Sequence, residues 1–116
     1  MIKISVDEGY ALDMLAISLV KSRKKPSEQS YQNYFDLANE IKDQITLEKF
    51  SDVIDSNEFD ELVETNEKIF EAVDMAKTDE IPASAVDYLN YKRYLAKKKI
   101  QEKFFNGELK EQKIGY

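Results

Sequence analysis

The sequence predicts an all-α fold, an antiparallel bundle of about four helices, and three observations carry that expectation. Apolar residues recur at i, i+3, i+4 and i+7 along most of the chain, the repeat of one helix face. The 116 residues include only three glycines and two prolines, so helix breakers are few. Serines at helix-capping distance stand before several of the apolar runs. A chain of this length makes about one ordinary domain and can bury one core without staples. Residues 1–107 are read as that helical domain and 108–116 as a polar C-terminal tail.

The elements follow in order. Ile2, Ile4 and Val6 alternate with Lys3 and Ser5, which reads as an extended arm. The alternative is a short strand pairing with a second copy or with the C-terminal tail. Ser5 and Glu8 have capping-box spacing, so the first helix is expected from about residue 6 to 24. Nine of the eleven residues from Tyr10 to Val20 are apolar. Leu12, Leu15, Ala16 and Leu19 share one face, while Tyr10, Met14 and Ile17 form a second strip. Arg23, Lys24 and Lys25 suit the C-terminal end of the helix dipole, and Pro26 stops it.

The second helix is expected from about Ser27 to Ile45, its buried stripe Tyr31, Tyr34, Phe35, Ala38, Ile41 and Ile45. Residues 46–56 are ambiguous. Leu47, Phe50, Val53 and Ile54 have helical spacing on a rotated stripe, which fits a short helix or a kinked continuation. A third long helix, from about Ser56-Asn57 to Lys77, buries Phe59, Leu62, Val63, Ile69, Phe70 and Val73 and turns Glu61, Glu64, Glu67, Glu71 and Asp74 outward. Thr78 to Pro82 reads as a connection. Ser84 and Asp87 cap a last helix to about residue 105, with Ala85, Tyr88, Leu89, Leu95, Ala96, Ile100 and Phe104 inward. Asn106-Gly107 stops it, since glycine tolerates the left-handed conformation needed there.

Composition excludes several chemistries. Without cysteine the chain has no disulfide, thiolate zinc site or thiol nucleophile, and without histidine it has no Ser-His triad. Three separated glycines build no glycine-rich phosphate loop. No apolar run is long enough to span a bilayer, and the first residues lack a signal pattern, so no membrane partner and a cytoplasmic location are expected. The net charge of −6 is unevenly spread: residues 36–80 hold fifteen acids and four lysines, while 81–116 hold eight bases and four acids. An acidic helix and a basic helix joined by a short connection would lie side by side and neutralise each other.

Three constellations are candidates for function. Asp60-Glu61-Leu62-Val63-Glu64, followed by Glu71-Ala72-Val73-Asp74, resembles the acidic motifs of the all-helical MazG-type nucleotide pyrophosphohydrolases. The resemblance implies a magnesium site at Glu61, Glu64, Glu71 and Asp74 and hydrolysis of nucleoside triphosphates. Oxygen ligands suit that hard cation. Here Asp60 replaces the first glutamate, and six residues separate the motifs, so both fall on one helix. A solvated acidic face is the plainer reading, with no cofactor. The second candidate is a basic strip of Lys92, Arg93, Lys97, Lys98 and Lys99 interleaved with tyrosines, a pattern that can hold phosphates and stack bases. The overall negative charge opposes nucleic acid as a partner. The third is an interface at Tyr10, Met14 and Ile17, because the first helix is more apolar than one buried stripe requires. Asp13, inside that apolar segment, is read as an edge residue beside Lys21 and Lys24, with pairing to a base such as Arg93 as the alternative.

The opening residues, Met1-Ile2-Lys3-Ile4-Ser5-Val6-Asp7-Glu8-Gly9-Tyr10-Ala11-Leu12-Asp13, resemble the start of small helical proteins encoded by tailed phages of marine bacteria. That resemblance implies an intracellular accessory protein in a bacterial host and carries no catalytic residue. The functional expectation is a non-catalytic interaction protein, a homo-oligomer or the partner of another protein.

Overall fold

The first six residues have no regular structure and stand exposed, with Ile2, Ile4 and Val6 all in solvent. In this chain they form an extended arm without strand structure. The computed structural model describes residues 1–107 and Leu109. The remainder of the expected polar tail lies outside the described residues.

Helix α1 spans Glu8–Lys24. The expected Ser5–Glu8 capping box does not form. Asp7 is the N-cap residue, it makes no side-chain cap bond, and Glu8 turns instead toward Gln101. Helix α2 spans Glu28–Ile45, and here a capping box does form: Ser27 accepts from the Ser30 backbone while Ser30 accepts from that of Ser27. The ambiguous stretch is a separate helix, α3, Leu47–Ile54. Thr46 divides it from α2 with φ 78°, so the chain turns and does not merely kink. Helix α4 spans Asn57–Lys77, capped by Ser56, and α5 spans Ala83–Phe105. Pro82, not Ser84, is the N-cap of α5, which suits a residue with no N–H to satisfy. At the other end Asn106, not Gly107, takes the left-handed conformation, with φ 54°. Asparagine is one of the few side chains that visits that region readily.

The fold is all-α. Helix α1 packs against α2, α4 and α5, so it is the central element. Its Leu12, Leu15 and Ala16 are fully buried. They meet Leu62 and Val63 of α4, Ala96 and Ile100 of α5, Ala38 and Ile41 of α2, and Phe50 and Val53 of α3 in one core. The most extensive helix pair is α4 with α5. Lys103 pairs with Glu58 and Lys99 with Glu61, so the two run antiparallel.

The buried side chains of α5 are Ala96, Lys97, Ile100 and Gln101, all in its second half. Tyr88, expected inside, is 60% exposed, and Tyr91 is 58% exposed. The α4–α5 hairpin extends past the end of the core, so apolar periodicity in its outer turns meets no third layer. Tyr31 and Phe35 of α2 are exposed for a related reason. They sit at the edge of a helix that packs chiefly against α1 on one side and α3 at its end.

Candidate functional site

The face of α1 turned away from the core carries Tyr10, Met14 and Ile17. Tyr10 is 36% and Met14 43% exposed, and Ile17 is half-buried. Lys21 continues the strip in solvent. Three neighbours cover the opposite side of the helix, and along this strip the central element reaches the surface. The Lys97 ammonium lies 5.7 Å from the centroid of the Tyr10 ring, close enough for a cation–π contact. That contact holds the ring at the α1–α5 boundary.

Beneath the strip lies a buried ionic cluster. Asp13 is 3% exposed, which corrects its expected place at the helix edge. Its Oδ1 accepts a hydrogen bond from Asn66 Nδ2 at 3.0 Å. Its Oδ2 lies 3.7 Å from Arg93 Nε and 3.6 Å from Lys97 Nζ. Lys97 is itself buried, while the Arg93 side chain is partly exposed. A buried carboxylate survives only where charge and hydrogen bonds replace water, and α4 and α5 supply them here. The Arg93 pairing was legible as an alternative. Asn66 and Lys97 were not assigned to Asp13, because only the crossing of α1, α4 and α5 brings the three together. In the sequence Asn66 showed itself as the one break in an apolar stripe.

One turn away, Gly9 lies against the α5 backbone. Its N–H donates to Gln101 Oε1 at 2.7 Å, and Gln101 Nε2 donates to Glu8 Oε2 at 2.9 Å. A Cβ at Gly9 would stand 2.9 Å from the Lys97 carbonyl oxygen. The glycine therefore sets how closely α1 and α5 approach. Leu109 is buried beside it.

The basic strip is divided by this arrangement. Arg93 and Lys97 face inward to Asp13. Lys98 pairs with Glu102 at 3.9 Å and Lys99 with Glu61 at 3.4 Å. Lys92 lies 5.6 Å from the centroid of the Tyr88 ring. Two of the five cations thus turn to Asp13, while Lys92, Lys98 and Lys99 border one open surface pocket together with Glu61 and Glu102.

The acidic face of α4 is divided as well. Its N-terminal half meets α5 through Glu58 and Glu61. Its C-terminal half meets the basic end of α1, with Glu67 on Arg23 at 3.1 Å and Glu71 on Lys24 at 2.7 Å. Glu64 is exposed, and Asp74 lies 4.0 Å from Lys77 one turn on. All four residues of the magnesium expectation stand on α4. Among the described residues no group of three or more acidic side chains is placed to hold a metal ion. Two of the ion pairs shift their titrations. The hydrogen bond from Lys103 holds the Glu58 carboxyl below its usual range, and the bond to Glu71 raises the Lys24 ammonium.

No family model, curated protein or solved structure matches the chain.

Proposed function

We propose that this protein is a non-catalytic interaction protein that self-associates through the uncovered face of α1. One observation supports the reading: Tyr10 and Met14 remain exposed on a helix whose opposite face, Leu12, Leu15, Ala16 and Val20, is buried in the core. Apolar side chains clustered on one face at the surface mark an interface more often than isolated ones do. The frame that presents them is an antiparallel bundle of four long helices, with α3 as a strut between α2 and α4. The setting is the cytoplasm of a bacterial host, as an accessory protein of a phage, and this rests on the resemblance of the opening residues alone. Neither alternative gains a supporting observation. Glu61 and Glu71 are engaged by lysines of α5 and α1, and Arg93 and Lys97 by Asp13.

Sedimentation equilibrium across a wide concentration range tests the reading. The wild-type chain is expected to show a mass that rises with concentration. The double substitution Tyr10→Glu and Met14→Glu is expected to give a monomer of unchanged helicity. A wild-type chain that stays monomeric at high concentration ends the proposal.

A further inference from the structure

The uncovered strip of α1 is self-complementary. Asp7, Tyr10, Met14, Ile17 and Lys21 are spaced three, four, three and four residues apart. That alternation is the seam of a two-helix coiled coil, which keeps one narrow stripe facing a partner helix. The seam has an acid at one end, a base at the other and three apolar residues between. Asp7 is half-buried and Lys21 exposed, so both reach the rim of the strip.

We infer that a second copy of this chain docks on α1 antiparallel, about a two-fold axis passing beside Met14. This rests on the self-association proposed above and adds its partner geometry. Antiparallel packing centred on Met14 sets each Asp7 opposite the partner copy's Lys21 and each Tyr10 within one residue of the level of the partner copy's Ile17. The same patch serves both copies, as a two-fold interface requires. Parallel packing would instead set Lys21 against Lys21 and Asp7 against Asp7, and like charges in register are repulsive. Asp7 can meet a new ammonium while keeping interactions within its own chain, because a carboxylate has several acceptor positions.

The chain has no cysteine, so single-cysteine variants report orientation without background. After mild oxidation, Met14→Cys should link to itself in high yield. Lys21→Cys alone should not, but mixed with Asp7→Cys it should give the mixed dimer. Lys21→Glu should weaken the dimer about tenfold by removing two rim pairs and adding repulsion, and 1 M salt should reduce that difference. Circular dichroism of each variant establishes that the helices are intact. A dimer in which Lys21→Cys links to itself, or in which Lys21→Glu changes nothing, overturns the antiparallel geometry and leaves self-association standing. A wild-type chain that is monomeric throughout overturns both.

Discussion

Gly9 and Asp13 show how single residues hold this fold in register. Replacing a helical glycine with alanine ordinarily gains about 0.8–1 kcal/mol of helix propensity. At Gly9 the added Cβ would meet a backbone carbonyl oxygen at 2.9 Å, which cannot rotate away as a side chain would. Separating α1 from α5 would also strain the bond from Gly9 to Gln101. Steric cost is expected to win, so Gly9→Ala should lower the thermal midpoint. A rise in midpoint would show that the helices part easily. At Asp13 the argument is electrostatic. Asp13→Ala removes the carboxylate that Arg93 and buried Lys97 share. Breaking a buried pair from one side costs roughly 3–5 kcal/mol, and the lower half of that range is expected because Arg93 is partly solvated. Urea unfolding of the variant measures it. The polar exception at Asp13 was visible in the sequence; its depth was not, because edge and interior differ by which neighbour lies across the helix.

The joints and pairings of the helices carry the next level. Thr46 caps α3 through Oγ1, which accepts from the Lys49 N–H, yet it does so at φ 78° and ψ 153°. That region is nearly confined to glycine, and a β-branched residue there costs about 1–3 kcal/mol. Glycine at an N-cap loses only a few tenths of a kcal/mol relative to threonine. Thr46→Gly is therefore expected to stabilise the protein by about 1 kcal/mol, read as a higher urea midpoint; a lower one would place the cap above the strain. The pairs flanking α4 make a pH prediction. Glu58 titrates below its ordinary 4.5, so its contribution is complete above that pH and is lost as pH falls through its folded value. Lys24 titrates above 10.5, so its contribution is complete below that pH and is lost as pH rises through its folded value. Acid unfolding of Glu58→Gln should accordingly show a shallower pH dependence below 4.5 than the parent. The charge asymmetry between α4 and α5 was legible from composition. That the basic end of α1 takes the other half of the acidic face was not, because Arg23 and Glu67 are far apart in sequence and meet only where α1 crosses α4.

For the molecule as a whole, the order and type of the long helices follow from the residues in each segment. Leu12, Leu15, Leu62 and Ile100 were all expected inside and are fully buried. A 3.6-residue repeat can bury its apolar stripe only as a helix, and the scarcity of glycine and proline leaves few places to stop. Those features are local, so the chain alone determined the all-α class, the span of α2, the end of α1 before Pro26 and the start of α4 near Ser56-Asn57. Local features did not determine which apolar strips would find a neighbour. From the sequence Tyr10 was expected on a second apolar strip and Tyr88 inward; both are exposed. One lies at the rim of the central helix and the other on a hairpin that outreaches the core. Whether a side chain is buried depends on the distance and angle between elements, which is a property of the packed molecule. Tertiary structure therefore decided that Asp13, Asn66, Arg93 and Lys97 form one cluster, and that the Tyr10, Met14 and Ile17 strip is the side of α1 left uncovered.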